Sequence, residues 1–194
     1  MALLAGAGAY FLGAATSGKP IATPTPTPSP SLPLFEATQK RLNSPKFTGD
    51  LVPLAQPWLP YLSGCLADTD ARGPKLPPDE RRHVLCQYNG VTITFGLYSS
   101  EAALSDGRAY RQGLKLPDDL QVPGQEPPSQ KAGGVSHVQG DYVEYALKGR
   151  DGRPLCGIWW NREGSPAAVF MEALCSETLG GSWAPLRDLW QRYS

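Results

Sequence analysis

RHVLCQYNGVTITFGLY, residues 82–98, is the segment of the chain with the most specific local structural signal. Asn89-Gly90 lies between two apolar runs, which is the strongest short-range signal for a β-hairpin with a two-residue turn. That turn pairs Tyr88 with Val91, and alternate residues outward from this pair form one apolar face. The opposite face is mostly polar, so we expect one face to pack in a core and the other to contact solvent or a ligand.

A second hairpin is predicted in DYVEYALKGRDGRPLCGIWW, residues 141–160, with Asp151-Gly152 in the turn. Loops of two and of four residues give the same alternation of side chains, so the assignment of faces is the same for both. Either loop places Trp160 in the apolar row and Trp159 on the more polar face.

Four helix-like stretches flank the hairpins. Their ranges are 56–66, 99–112, 165–175 and 182–194. Serine residues offer N-caps for the second and third of these helices. The pattern predicts an α+β fold: an antiparallel sheet from two β-hairpins, helices packed on one face, and a repeated ββα unit.

The cysteines predict two disulfides, because their number is even and an export-like segment precedes them. Cys65 and Cys175 lie on the apolar sides of predicted helices, whereas Cys86 and Cys156 lie on core faces of strands. Four cysteines allow three connectivities. The favoured one pairs Cys65 with Cys86 and Cys156 with Cys175, because each disulfide would join a helix to the sheet and stabilise the fold by roughly 3 kcal/mol. No close Cys pair provides zinc ligands, so neither a metal nor a cofactor is expected.

The N-terminal region predicts attachment to a membrane. Residues 1–18 carry no charge, and they are either a transmembrane helix that begins further upstream or a cleaved signal segment. Residues 19–45 contain alternating Thr-Pro and Ser-Pro, which favours an extended linker. The remaining range, 46–194, is the predicted extracytoplasmic domain.

Composition and motifs narrow the class of function. The chain has 18 Lys and Arg against 18 Asp and Glu, so its balanced charge disfavours nucleic acid as a partner. The sequence contains no G-x-S-x-G, H-E-x-x-H, P-loop or Rossmann fingerprint. A binding function is therefore favoured over an enzymatic one.

Aromatic and charged residues on the polar strand faces form the predicted binding site. Such a group suits a small molecule, a sugar or a peptide. The alternative is that the loop of residues 112–140, or a second layer of helix, covers this face and buries Trp159 as packing. The candidate residues are Tyr98, Tyr142, Glu144, Trp159 and His83.

The plan of AGAGAYFLGAATSGKPIATPTPTPSPS followed by a two-disulfide α+β domain resembles single-pass membrane proteins of actinobacterial type. These include the sensor domains of receptor-like Ser/Thr kinases. The resemblance implies a sensor or ligand-binding domain outside the cell membrane, or a secreted one, with a membrane signalling partner. The alternatives are a secreted enzyme acting on cell-envelope material and a structural partner in an envelope complex.

Overall fold

An antiparallel sheet of seven strands runs through the part of the chain that the structure, a computed structural model, describes, residues 31–194. Its spatial order is β1-β2-β3-β7-β6-β5-β4. The strands are β1 (Ser63–Ala67), β2 (Glu80–Tyr88), β3 (Val91–Tyr98), β4 (Ser129–Ala132), β5 (Gln139–Lys148), β6 (Pro154–Asn161) and β7 (Ala167–Leu174). The helices are α1 (Leu34–Asn43), α2 (Leu51–Ala55), α3 (Glu101–Gly113) and α4 (Ala184–Tyr193), with 3-10 turns at Ser44–Lys46 and Asp118–Leu120.

Strands β2 and β3 form a hairpin around Asn89 and Gly90. Both turn residues have positive φ, 45° and 82°, as a type I′ turn requires. Tyr88 lies opposite Val91 and Cys86 opposite Ile93, the register expected of a two-residue turn. The apolar row of this hairpin, which includes Ile93, faces the main core.

Residues 165–175, predicted as a helix, instead contain strand β7. It lies between β3 and β6 in the centre of the sheet, where Val169 and Phe170 are both buried although they face opposite sides. A strand buried on both faces is an unbroken apolar run, and periodicity alone does not separate such a run from a buried helix. The predicted ββα repeat is therefore wrong in its second half.

The helix predicted over residues 56–66 is also absent. Helix α2 ends at Ala55, the chain turns through Pro57 and Pro60, and Cys65 lies in strand β1. Proline lacks the amide hydrogen that a helix interior needs, so two prolines in this stretch stop the helix early.

The loop between β5 and β6 has five residues, because Lys148 lies opposite Pro154. An odd loop shifts the pairing by one residue relative to loops of two or four, and this moves one strand's side chains to the other face. Glu144 therefore lies opposite Ile158, and Val143 lies opposite Trp159. The predicted assignment of faces in this hairpin is wrong for that reason.

Helices lie on both faces of the sheet, which corrects the prediction of a single helical face. Helices α2 and α4 contact the face of the main core, where Trp58, Trp160 and Trp190 are buried. Helix α3 packs on the other face over a smaller apolar cluster. That cluster consists of Tyr98, Leu104, Val143, Tyr145, Trp159, Ala168 and Phe170.

The two predicted disulfides, Cys65–Cys86 and Cys156–Cys175, are both present. Their structural role differs from the prediction. The first joins strands β1 and β2, and the second joins β6 to the residue that follows β7. Each disulfide therefore links neighbouring strands rather than a helix and the sheet.

The predicted membrane or signal segment, residues 1–18, lies outside the described residues, as does most of the predicted linker. Helix α1 occupies Leu34–Asn43, inside the range assigned to the linker from its composition. In the range 31–194, no helix is long and apolar enough to cross a membrane.

Candidate functional site

The five predicted site residues do not share one open face. Tyr98 and Trp159 lie on the face that α3 covers, and His83 is on the same face of β2. Tyr142 and Glu144 lie on the opposite face, where α4 packs against the sheet. The prediction of a single binding surface is therefore wrong, because the five-residue loop reverses the faces of β5.

Trp159 is a core residue, with 0% of its surface exposed. Its indole Nε1 donates to the Tyr98 hydroxyl at 3.4 Å, and it packs with Leu104 of α3. The cover is thus α3 rather than the loop of residues 112–140. Trp159 is not available to a ligand in this arrangement.

Glu144 is bound on both carboxylate oxygens. Oε1 accepts from the Tyr142 hydroxyl at 2.7 Å and from Arg187 Nε at 2.6 Å, and Oε2 accepts from the Glu126 amide at 2.7 Å and from Arg187 Nη2 at 2.8 Å. Burial and the bond to Glu144 raise the pKa of Tyr142, and the same carboxylate raises the pKa of Arg187. This group fixes the segment around Glu126 to the sheet, and Glu144 has no free oxygen for acid–base work.

A pocket of about 380 Å³ opens between α3 and the sheet, beside Tyr98 and His83. We call it the α3 pocket. A slightly larger cavity of about 440 Å³ lies elsewhere, among loop residues between Gln112 and Gln125. The α3 pocket is the better candidate because aromatic rings and partly buried charged groups line it. Its lining residues are Pro77, Asp79, Glu80, His83, Tyr98, Asp106, Gly107, Tyr110, Arg111 and Phe170.

Local sequence explains how α3 comes close to the sheet. The helix begins after Ser100, whose side chain accepts a hydrogen bond from the Ala103 amide. Gly107 then meets the ring of Tyr98, and a Cβ at that position would lie 2.7 Å from it. Arg111 follows one turn later on the same helical side, so it also faces the pocket.

Arg111 is the main cation of the α3 pocket. Its guanidinium carbon lies 4.3 Å from the centroid of Phe170, and Nη1 donates to the Gly107 carbonyl at 2.9 Å. Burial acts to lower the pKa of Arg111, but Tyr145, Tyr98 and the more distant Glu172 carboxylate outweigh it and raise the pKa. Among residues 31–194, no carboxylate comes within 4 Å of this guanidinium.

Glu80 and His83 form a hydrogen-bonded pair at the same pocket. The register of β2 and β3 shifts between Glu80 and Arg82, and this bulge brings Glu80 to the face of His83. His83 Nδ1 and Glu80 Oε2 are 2.6 Å apart, and Gly96 opposite them leaves room for the carboxylate. An ionised carboxylate only accepts, so this contact places a proton on Nδ1 between His83 and Glu80.

The Tyr98 side chain is 1% exposed, lies against Gly107 of α3 and lines the pocket. Its oxygen accepts from Trp159 Nε1 and from Arg111 Nη1, each at 3.4 Å. Burial raises the pKa of Tyr98, so the hydroxyl keeps its proton. That proton has no acceptor among the hydrogen bonds of the described part of the chain.

Sequence reasoning found two members of this pocket, Tyr98 and His83, and missed Arg111, Phe170 and Glu80. Phe170 was missed because its segment is predicted as a helix. Glu80 was missed because the β-bulge between Glu80 and Arg82 changes the face on which it lies. Gly107 and Arg111 are four residues apart on a predicted helix, so they lie on the same side of it. The glycine could have indicated that the helix approaches the sheet closely, and the arginine that a cation lies beside this contact.

No protein-family description, curated protein or solved structure matches this chain.

Proposed function

We propose that the chain is an extracytoplasmic ligand-binding or sensor domain, and that the α3 pocket is its binding site. The observation that carries the proposal is the pocket itself, where Arg111 lies over Phe170 and has no carboxylate within 4 Å among residues 31–194. A partly buried charge is costly unless a partner compensates it, and a ligand would supply that partner.

Two features support a location outside the cytoplasm. The two disulfides suggest an extracellular or secreted protein, since the cytosol keeps most thiols reduced. The uncharged segment of residues 1–18 and the Thr-Pro linker behind it suit a domain held at the outer face of a membrane. A single-pass anchor and a membrane signalling partner are part of this proposal.

A second candidate function follows from the Glu80–His83 pair. A carboxylate that orients an imidazole is an arrangement used for general acid–base catalysis. It favours a secreted enzyme acting on envelope material at the same pocket. Recovery of bound ligands chemically unchanged after long incubation with the protein would exclude this candidate and retain the binding function.

The test of the proposed function is a binding screen with the purified full chain. Amino acids, simple sugars and short peptides are added in turn, and the shift in melting temperature is measured. We expect at least one of these classes to stabilise the chain. Replacing Tyr110, which is 65% exposed and lines the pocket, by Ala should weaken that binding at least fivefold.

The matched control is Tyr61→Ala, because Tyr61 is also an exposed tyrosine, at 41%, and does not line the α3 pocket. It should bind as the unchanged chain does. Absence of binding in all three classes, or equal loss in both variants, would contradict the proposal.

A further inference from the structure

The α3 pocket presents groups of both signs. In the described range, the Tyr98 proton lacks an acceptor and the Arg111 guanidinium lacks a carboxylate within 4 Å. Both groups call for an acceptor with negative charge. A carboxylate would accept from both, and charge-assisted hydrogen bonds of this kind are the stronger ones.

Two carboxylates also line this pocket, Asp79 and Asp106. Asp79 is half-buried and Asp106 is exposed, and neither forms an ion pair within residues 31–194. These groups suit a cation on the ligand. The pocket therefore offers a positive group and negative groups to the same occupant.

This distribution discriminates among ligand classes. A phosphate or a dicarboxylate would meet Arg111 but also face the negative charges of Asp79, Asp106 and Glu80. A neutral sugar would leave the Arg111 charge without a partner. A ligand with one carboxylate and one ammonium group provides an anion for Arg111 and a cation for Asp79 and Asp106.

The size and apolar lining of the pocket limit the ligand further. About 380 Å³ is at the small end of ligand sites, and the rings of Phe170 and Tyr110 with Pro77 provide apolar contact. We infer that the α3 pocket binds a free α-amino acid, with its carboxylate on Arg111 and Tyr98 and its ammonium group toward Asp79 and Asp106. This inference rests on the proposed function, because it names the ligand class of the same pocket.

The test is calorimetry on the purified full chain with each of the twenty amino acids. The one that binds most tightly is then compared with its amide, which lacks the carboxylate, and with its desamino acid, which lacks the ammonium group. We expect each derivative to bind at least about tenfold more weakly. The inference is overturned if no amino acid binds, or if the amide binds as tightly as the acid.

Substitutions of pocket residues test where the carboxylate of the bound amino acid lies. Tyr98→Phe removes only the hydroxyl and should weaken the amino acid about fivefold or more while leaving the affinity for its amide unchanged. Tyr142→Phe is the matched control, since it removes a buried hydroxyl on the opposite face of the sheet, and its affinities should be those of the unchanged chain. Arg111→Lys keeps the charge but loses the planar fork, and we expect about tenfold weaker binding of the acid.

The outcomes separate this inference from the proposed function. Binding of sugars or peptides to the α3 pocket, without binding of any amino acid, would overturn the amino-acid assignment and retain the ligand-binding function. Absence of binding in every class would overturn both. Loss of acid and amide affinity to the same extent in Tyr98→Phe would show that this hydroxyl does not contact the carboxylate.

Discussion

Glu144 of strand β5 carries a carboxylate that is buried in the protein. Its side chain is 0% exposed, and Arg187, which is 31% exposed, supplies the compensating charge. From its place in a strand with aromatic neighbours, Glu144 is predicted to contact a ligand. The structure instead has it bound to Arg187, Tyr142 and the Glu126 amide.

We predict that Arg187→Met destabilises the chain by about 2–4 kcal/mol, because it leaves the Glu144 carboxylate buried and unpaired. Urea unfolding followed by fluorescence would measure the change. The matched control is Arg153→Met, whose partner Asp151 is half-exposed, and it should cost less than about 1 kcal/mol. Equal losses in the two variants would contradict a structural role for Glu144.

For the adjacent residues Trp159 and Trp160, the sequence predicts that they lie on opposite faces of the sheet, but it does not predict whether each face is covered. Neighbours in a strand point to opposite faces, and Trp159 and Trp160 do so. Of the two expectations for Trp159, contact with a ligand and burial beneath a loop or a second layer of helix, the structure has burial beneath helix α3. No property of the two tryptophans themselves decides between these expectations.

Among the elements, α3 is the one that forms the pocket, and Gly107 sets its distance from the sheet. We predict that Gly107→Ala destabilises the chain by about 1–3 kcal/mol, because the new Cβ would lie 2.7 Å from the buried ring of Tyr98. The same substitution should also weaken ligand binding in the α3 pocket. The free energy of unfolding from urea titration measures the first effect, and calorimetry measures the second.

Gly113→Ala is the control within the same helix. A Cβ there meets nothing within 4 Å, so the substitution should be neutral or stabilise the chain by up to about 1 kcal/mol. A destabilisation by Gly107→Ala no larger than that of Gly113→Ala would show that α3 does not approach the sheet as described.

Elements with a specific local signal are predictable, and those decided by tertiary packing are not. Asn89-Gly90 fixes both the turn and the register of β2 and β3, because few residues adopt positive φ in succession. The range 165–175 has good helix formers, but its position between two strands makes it a strand. Asp151-Gly152 indicates a turn before β6 but not that the loop has five residues. The faces of that hairpin are therefore assigned wrongly from sequence.

At the scale of the whole molecule, the sheet joins two meanders through the pairing of β3 with β7. One disulfide lies in each meander, so each half has its own covalent link between neighbouring strands. The cysteine pairs are predictable from faces and spacing, although the elements they join are not. The α3 pocket depends on this joining, because β2 and β3 supply His83 and Tyr98 while β7 supplies Phe170.

The most direct test of the central claim, that the α3 pocket is the binding site, is a titration followed by NMR. The amide and Arg side-chain signals of the isotope-labelled full chain are recorded as the tightest-binding compound of the binding screen is added. We predict that the largest shifts occur at Arg111 Nε–H and at the amides of Tyr98, Gly107 and Phe170, which line the pocket. Shifts confined to the segment around Glu126, or no shift at saturating ligand, would contradict it.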